Sequence, residues 1–344
     1  MINRSSRPDC PLVSAVIPTR GRLELLACAI RSALRQTWSH LEVIVVVDGP
    51  DPETGTYLGT ITDPRLRVIF LSEPCGGSDA RNAGVRAARG EWIAFLDDDD
   101  EWLPEKIERQ MRAAHAMPDW FPVVSCRLIA QSPTGRRILP QQPYRPPQPI
   151  ADFLFCRTSL RDAGGVMQSS TLLAPRELLL AVPFQSGLSI HQDWDWLIRV
   201  ASYKGVGLAM VRRPLSIWRV EDKRPTVGSN PAWKSSLSWI RASRSLVSPR
   251  AFSWFVAIQC VWRARSSHAG LRARLTLLRA FLFEGSPELR SILSYLIFAL
   301  IPTSLRRSTN RWLRKLHRDS SFGPGLCIVS TGKPPAPVLR KSSL

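Results

Sequence analysis

The chain has 344 residues, of which 44% are hydrophobic and 22% are charged, a composition typical of globular proteins that argues against wholesale disorder. The formal net charge is +19, and the excess is concentrated in residues 241–344, which hold 18 basic and three acidic side chains. Seven cysteines lack CxxC or zinc-ligand spacing, which argues against a disulfide framework or structural zinc and favours a reducing cytoplasm.

Strand-like and helix-like segments alternate in the first third of the chain. Apolar runs predict strands at residues 12–17, 41–47, 66–71 and 92–96. Helical spacing of apolar residues predicts helices at 23–36, 78–88 and 104–115, and a Gly/Pro/Asp turn follows the second strand. The alternation predicts an α/β fold with a mostly parallel sheet and flanking helices, in which ligands bind beyond the carboxyl ends of the strands.

The rest of the chain is less regular. Residues 131–149 are rich in proline and glutamine and predict a long loop, after which we expect a strand at 169–174 and two helices. The composition changes after residue 224, and residues 249–316 predict successive amphipathic helices rich in tryptophan and arginine. We therefore predict a catalytic domain at 1–230, a basic amphipathic helical region at 231–318 and a disordered tail at 319–344.

Four consecutive aspartates, residues 97–100, follow the fourth predicted strand. Adjacent like charges raise one another's pKa, and a divalent cation relieves that repulsion. Mg²⁺ and Mn²⁺ prefer carboxylate and phosphate oxygens, and alternate residues share a direction, so Asp97 and Asp99 can face one ion together. The alternative is a solvated acidic turn that precedes the Pro104 helix.

Further polar residues follow the other predicted strands. Asp48 ends the second strand and can accept hydrogen bonds from a nucleobase or ribose, although an Asp-Gly turn is an equal alternative. Arg20, Arg22 and Arg81 are candidates for diphosphate contact, because a guanidinium matches phosphate oxygens, but each could be a surface charge. The glycine pair at residues 76–77 could turn backbone N–H groups toward an anion.

The segment at residues 191–195 places two carboxylates between aromatic side chains. A general base needs a carboxylate that is partly shielded from water, and Trp194 and Trp196 could supply the shielding. The alternative is an ordinary helix start, with Asp193 in the first turn, where the helix dipole favours an acidic side chain.

Taken together, these segments resemble the family 2 glycosyltransferases, which have the GT-A fold. The resemblance lies in residues 13–22, 41–49, 80–84 and 90–106, and residues 192–195 look like the family's acceptor-side motif. It covers about residues 12–222 and is strongest in the first half. One departure is Gln192, where the family often has a glutamate. The Gln-x-x-Arg-Trp motif of processive synthases is absent, which favours transfer of a single sugar.

The resemblance implies inverting transfer from a nucleotide-diphosphate sugar, bound by a nucleotide-sugar half (about 12–117, the donor half) next to an acceptor half (118–230). The implied nucleotide-sugar contacts are Pro18, Thr19, Arg20, Asp48, Arg81, Asp97 and Asp98. It also implies an Asp-x-Asp site for Mg²⁺ or Mn²⁺ at Asp97 and Asp99, with Asp193 as the catalytic base. Two other classes stay open: a nucleotidyltransferase or other nucleotide-binding enzyme, and a nucleic-acid-binding protein that uses the basic C-terminal region.

The basic helices at residues 249–316 predict peripheral attachment to the cytoplasmic face of an anionic membrane. Their expected apolar faces include Phe252, Phe255 and Leu275, with arginines such as Arg263 interspersed. The longest strongly apolar stretch, residues 292–301, is about half the length of a spanning helix. The acceptor would then be a sugar or lipid-linked intermediate of envelope glycan synthesis. Alternatively, the helices pack on the catalytic domain or form a dimer interface.

Overall fold

The structure, a computed structural model, describes residues 10–133, 135–159, 164–220 and 232–301. Its strands are β1 (Val13–Thr19), β2 (Leu41–Val47), β3 (Leu66–Phe70), β4 (Trp92–Phe95), β5 (Asp100–Trp102), β6 (Phe121–Ser132), β7 (Gly135–Leu139), β8 (Leu173–Pro175) and β9 (Val206–Arg219). Its helices are α1 (Leu23–Leu34), α2 (Pro52–Gly59), α3 (Gly77–Ala87), α4 (Lys106–His115), α5 (Ile150–Phe155), α6 (Arg176–Ala181), α7 (Gln192–Ala201), α8 (Trp233–Ala242), α9 (Pro249–Phe255), α10 (Val261–Ser266), α11 (Leu271–Arg279) and α12 (Leu289–Leu300).

The strands form one sheet in the order β3-β2-β1-β4-β8-β6-β9-β5, with β7 paired to β6. The four strands of the donor half, β3 to β4 along this order, are parallel throughout. Beyond β4 the pairing is mixed: β8 is antiparallel to both β4 and β6, whereas β6 and β9 run parallel. The predicted α/β class is confirmed, and the carboxyl ends of β1, β2 and β4 meet at one edge.

Strand β2 shows why the donor half could be predicted. All seven of its residues are buried, since helices cover both faces of the sheet. Val43, Val45 and Val47 contribute to one hydrophobic core, while Ile44 and Val46 contribute to the other. Successive side chains of a strand point to opposite faces, so a run that is apolar at every position is what a doubly covered strand requires.

Three predicted elements differ from the structure. The turn after β2 contains helix α2, which Asp51 caps by accepting a hydrogen bond from the Thr54 N–H at 3.1 Å, with a proline at its first position. Within the predicted loop at 131–149, β7 extends β6 as an exposed hairpin strand. The first half of the strand expected at 169–174 is a 3₁₀ turn, Ser169–Thr171, whose buried hydroxyls bond to the loop after β4 and to strand β6.

The C-terminal helices are present, but part of their predicted membrane-facing surface lies inside the protein. Phe252 and Phe255 of α9 are almost fully buried in the core that also contains Trp196 of α7. That portion of the 249–316 prediction is therefore wrong, because an apolar helix face can cover a neighbouring domain as readily as a membrane. The described chain up to Ala299 belongs to one compact unit. The predicted domain boundary near residue 230, the end of the basic region and the tail at 319–344 lie outside the described residues.

Gly84 provides a test of the packing between α3 and the sheet. A Cβ at this position would lie 2.4 Å from Val16 Cγ1 and 3.2 Å from Val46 Cγ2, closer than packed carbon atoms approach. We expect Gly84→Ala to lower the free energy of unfolding by about 1–3 kcal/mol through overpacking. Gly59→Ala is the matched helix control, since nothing lies within 4 Å of its Cβ position. Equal urea-unfolding midpoints for both variants would contradict the close contact.

Candidate active site

A cavity of about 560 Å³ opens at the carboxyl edge of β1, β2 and β4, a size typical of small-molecule sites. The nucleotide-sugar, metal and catalytic residues implied by the family resemblance all line it: Pro18, Thr19, Arg20, Asp48, Arg81, Asp97, Asp98, Asp99 and Asp193. Residues of the acceptor half and of α10 complete the wall, so the cavity joins segments far apart in the sequence.

Asp48 follows β2 directly and holds the turn before α3. Its two carboxylate oxygens accept hydrogen bonds from the backbone N–H groups of Cys75 at 2.7 Å and Gly76 at 3.0 Å. The Gly76 N–H, which could have faced an anion, therefore points at Asp48. The contact of Asp48 with a nucleoside stays a prediction, and its position at the cavity wall is compatible with it.

The aspartates of the acidic run have different partners. Asp98 is buried and accepts hydrogen bonds from Thr19 Oγ1 at 2.8 Å and Arg22 Nη1 at 3.1 Å. Asp99 accepts from the same Arg22 nitrogen at 3.1 Å. Burial raises the pKa of Asp98 to about 6, although Arg22 and Thr19 act in the opposite direction.

Asp97 is tied to the acceptor half through Arg81. Arg81 Nη2 donates to Asp97 Oδ1 at 2.5 Å, and Nη1 donates to Gln192 Oε1 at 2.9 Å. A Cβ on Gly77 would lie 2.9 Å from that Gln192 oxygen and 3.0 Å from Arg81, so the glycine leaves room for the link. This buried guanidinium thus connects the end of β4 to the residue next to Asp193.

The fourth aspartate of the run, Asp100, leaves the cavity and starts β5. It is buried, and Gln168 Nε2 donates to its Oδ2 at 2.9 Å. Burial, followed by the charges of Asp97 and Asp99, raises its pKa well above the ordinary value. The acidic run therefore places three carboxylates at the cavity and inserts one into the sheet.

The donor set fits a hard divalent cation that arrives together with a diphosphate. Among the described residues, no group of three or more His, Cys, Asp or Glu side chains is arranged to hold a metal ion. Mg²⁺ is commonly held by one or two carboxylates plus substrate phosphates, and Asp97 and Asp99 both line the cavity. Burial is the main cause of the raised pKa values of Asp98 and Asp100, and the charges of Asp97 and Asp99 raise them further.

Asp193 lies in the first turn of α7. It accepts a hydrogen bond from Ser169 Oγ, and burial raises its pKa, while the nearby Arg81 lowers it and Asp97 raises it. Asp195 is placed differently: its oxygens accept from Trp239 Nε1 at 3.0 Å and Arg199 Nε at 2.8 Å. Asp193 borders the cavity, whereas Asp195 anchors α7 to α8.

His191 precedes α7 with a left-handed backbone, φ 65°. Its ring stacks on Trp194 with centroids 5.0 Å apart, lies 4.9 Å from the Trp239 ring, and its Nε2 is 2.9 Å from Ser236 Oγ. Trp194 lines the cavity as the sequence predicted. Trp196 does not, since it is fully buried and donates to the Val182 carbonyl at 2.8 Å, so its predicted shielding role is wrong.

The burial of His191 gives a pH dependence of stability. Burial, with a smaller effect of the Arg263 charge, lowers the pKa of His191 from 6.5 to about 3. Below about pH 6.5 the unfolded chain therefore binds a proton at His191 that the folded chain does not bind. The contribution of this residue to stability falls as the pH drops toward 3. We expect His191→Asn, which tolerates the left-handed backbone, to remove about 2 kcal/mol of the stability loss between pH 7 and pH 5. Urea unfolding of both proteins at pH 7 and pH 5 measures this effect. An equal loss of unfolding free energy in the wild type and the variant would contradict the expectation.

The sequence did not identify several residues of the site. Ser169 and Ser170 were expected in a strand, yet Ser169 holds Asp193, and Ser170 Oγ accepts from the Asp97 N–H at 3.0 Å. Trp218 of β9 and Arg263 of α10 line the cavity as well. The available sequence signal was the run of three hydroxyl residues at Ser169–Thr171, because hydroxyl groups that become buried need hydrogen-bond partners. No local sequence pattern indicated that Trp218 or Arg263 would line the cavity.

Comparison with known proteins agrees with this geometry. Residues 14–167 match the family model described as "Glycosyl transferase family 2". The chain is 24% identical over 293 residues to the amylovoran biosynthesis glycosyltransferase AmsB of Erwinia amylovora, covering 83% of this chain and 95% of the relative. It is 32% identical over 141 residues to the putative colanic acid biosynthesis glycosyl transferase WcaA of Escherichia coli (strain K12), covering 39% of this chain and 50% of that one.

Among solved structures, the chain is similar to a mannosyltransferase from Pyrobaculum calidifontis in complex with GDP-Man and Mn²⁺. The TM-score is 0.50, with 17% identity over 85% of this chain and 86% of the other. At that identity the likeness shows a common fold.

Proposed function

Because the chain belongs to glycosyl transferase family 2, and is thus a glycosyltransferase, we propose that its cavity moves one sugar from a nucleotide-diphosphate sugar to an acceptor hydroxyl. The observation that carries this proposal is the Arg81 link, which joins Asp97 of the donor half to the loop and helix that present Asp193. A base and the groups around a leaving diphosphate must lie on either side of one reacting carbon, and the link supports the proposal because it brings both sets of residues to one cavity.

The donor end of the cavity would hold the nucleotide. Pro18, Thr19, Arg20 and Asp48 line that end and would contact the nucleoside. Arg81 would face the diphosphate, since a guanidinium matches phosphate oxygens, and its buried position keeps it in one orientation. Thr19 and Arg22 hold Asp98 and Asp99, which fixes the carboxylates at the strand end.

The acceptor end would perform the proton transfer. Asp193 would remove a proton from the acceptor hydroxyl, and that oxygen would attack the anomeric carbon from the face opposite the departing nucleotide. One such displacement inverts the anomeric configuration. The raised pKa of Asp193 suits this role, because a base is most effective when its pKa lies near the working pH. The Ser169 hydroxyl would keep the carboxylate oriented.

Asp97 and Asp99 would hold Mg²⁺ or Mn²⁺. When bound, the ion would supply positive charge against the diphosphate leaving group. The ion would also offset the charges of Asp97 and Asp99, which add to the effect of burial in raising the pKa of Asp98 and Asp100.

Two relatives are named for amylovoran and colanic acid biosynthesis, which supports a polysaccharide or lipid-linked glycan as the acceptor. A nucleotidyltransferase would give Asp193 no part in the reaction. Nucleic-acid binding has weaker support, because part of the C-terminal region is buried in the shared core.

A thermal-shift screen of UDP-, GDP- and dTDP-sugars tests the proposal. We expect one nucleotide class to raise the melting temperature, and Mn²⁺ to increase that shift. If no nucleotide sugar stabilises the protein while DNA or RNA does, the glycosyl-transfer proposal is wrong.

We further propose that α11 and α12 hold the protein on the cytoplasmic face of an anionic membrane. The exposed apolar side chains of these helices and of the segment between them include Leu271, Leu275, Leu278, Leu282, Phe283, Leu289, Ile292, Leu293 and Leu296. Leu277, Phe281 and Tyr295 point inward, so the remaining faces are turned to solvent. Exposed Arg272, Arg274 and Arg279 lie among the apolar groups, which is the pattern of helices that lie at a lipid headgroup boundary. None of the described helices is long and apolar enough to cross a bilayer.

Co-sedimentation with phosphatidylglycerol vesicles tests this surface. Each cation near anionic lipid contributes on the order of 1 kcal/mol, so we expect binding at low salt that weakens at high salt. The combined substitutions Leu275→Gln, Phe283→Gln and Leu293→Gln should abolish binding without unfolding the protein, because these side chains are exposed.

The matched control replaces exposed apolar residues elsewhere, Phe70→Gln and Leu180→Gln, and should bind as the wild type does. Wild-type protein that stays in the supernatant at low salt would contradict the membrane proposal. Truncation before α9 is unsuitable, because that helix contributes Phe252 and Phe255 to the core.

A further inference from the structure

Gln192, the first residue of α7, departs from the glutamate that is common at this position in the family. Both ends of its side-chain amide are occupied. Its Oε1 accepts a hydrogen bond from Arg81 Nη1 at 2.9 Å, and its Nε2 donates to the Leu188 carbonyl at 2.6 Å. An ionised glutamate could not make both contacts, because a carboxylate has no proton to donate to the Leu188 carbonyl. The local structure therefore favours a neutral amide here.

The guanidinium that Gln192 contacts is held from several directions. Only 9% of the Arg81 side chain is exposed, its Nη2 donates to Asp97 Oδ1 at 2.5 Å, and its Cζ lies 5.6 Å from the centre of the Phe184 ring. A Cβ on Gly77 would lie 2.9 Å from Gln192 Oε1 and 3.0 Å from Arg81 Nη1, so a larger residue there would displace this contact. Residues of both the donor and the acceptor half thus fix the position of this charge.

The charges around Arg81 show why a neutral partner matters. Asp97 bonds to the guanidinium on one side, and Asp193 follows Gln192 directly on the other. All four residues line the cavity. A further carboxylate at position 192 would bind the guanidinium more strongly than the amide does and would repel an incoming diphosphate.

We propose that Gln192 is a positioning residue for the donor diphosphate: it holds Arg81 at the cavity wall through an uncharged hydrogen bond and leaves the positive charge available to phosphate oxygens. This inference rests on the proposed function, in which Asp97 would turn to the divalent ion. Gln192 would then keep Arg81 in place while the charge of the guanidinium is directed at the diphosphate. The same residue lies next to the base, so it connects donor binding to the acceptor end.

Two pairs of probes measure this role in the presence of Mg²⁺: UDP with uridine, and GDP with guanosine. Titration calorimetry suits the diphosphates, and ligand-observed NMR suits the weaker nucleosides. We expect the wild type to bind at least one diphosphate more tightly than its nucleoside. Gln192→Glu should weaken that diphosphate about tenfold, as expected when a charge-assisted hydrogen bond is lost, and leave the nucleoside unchanged. Gln192→Ala should weaken it less, because alanine adds no negative charge.

Two controls separate the contact with Arg81 from general effects. Gln185→Glu adds the same charge at an exposed position outside the cavity and should bind all the probes as the wild type does. When Gln192→Ala is combined with Arg81→Gln, we expect no further loss of diphosphate affinity beyond that of Arg81→Gln alone, since Gln192 acts through the arginine. This pair keeps the inference testable if Gln192→Glu fails to fold.

The outcomes distinguish this inference from the proposed function. If the wild type binds neither diphosphate more tightly than its nucleoside, the inference is overturned together with the proposed donor site. If the wild type prefers the diphosphate, three results refute the inference alone: full retention of that preference by Gln192→Glu, an equal loss of nucleoside affinity in that variant, or additive losses in the double variant.

Discussion

Asp193→Asn is expected to lower turnover by about two to four orders of magnitude, the usual effect of losing a general base. Donor affinity should change little, because the amide is nearly the same size and can still bond to Ser169. Since the carboxylate is removed, the ionisation that belongs to it should also disappear from the pH profile of transfer. The measurement is steady-state transfer over a pH range, together with donor affinity by calorimetry.

Asp195→Asn is the matched control for this experiment. Its carboxylate holds Trp239 and Arg199 and does not border the cavity, so we expect lower stability with turnover within about tenfold of the wild type. If Asp195→Asn removes turnover and Asp193→Asn leaves it nearly intact, the assignment of the base is wrong.

Asp99→Ala is expected to reduce transfer about a hundredfold or more, because a metal ligand contributes several kcal/mol of leaving-group stabilisation. The folding free energy should change little. Asp99 lies in the loop after β4, is partly exposed, and pairs with Arg22, whose side chain is itself partly exposed. The apparent affinity for Mn²⁺ should fall together with the rate.

Arg22→Gln separates the loss of a metal ligand from the loss of the ion pair. It removes the same contact to Asp99 while leaving the carboxylate in place. We therefore expect its Mn²⁺ requirement to resemble that of the wild type. Full activity in EDTA, or Mn²⁺ titrations of Asp99→Ala that match the wild type, would contradict the metal role.

The donor half could be predicted from sequence because its signals are local. The apolar run of β2 and the helical spacing of apolar residues in α1 each indicate an element from a short, continuous segment of sequence. The acidic run begins two residues after the last residue of β4, so the position of Asp97 and Asp99 could be predicted from the rule that parallel strands end at one edge.

The acceptor side could not be predicted in the same way because its contacts are long-range. Arg81 meets Gln192, 111 positions away, and Asp100 leaves the acidic run to pair β5 with β9. The C-terminal helices show a further limit. An apolar stripe with arginines describes both α9, which is buried, and α11, which is half-exposed, so only the packing distinguishes them.

In the proposed mechanism, the cavity releases a nucleoside diphosphate as it transfers a sugar, with Asp193 as the base. Phosphorus NMR of the reaction of wild-type protein, a nucleotide sugar selected by the thermal-shift screen and Mn²⁺ measures this directly. We expect a nucleoside diphosphate as the phosphorus product, and we expect Asp193→Asn to form it at least about a hundredfold more slowly than the wild type. Release of pyrophosphate from nucleoside triphosphates, with no nucleoside diphosphate from any sugar donor, would contradict it and favour nucleotidyl transfer.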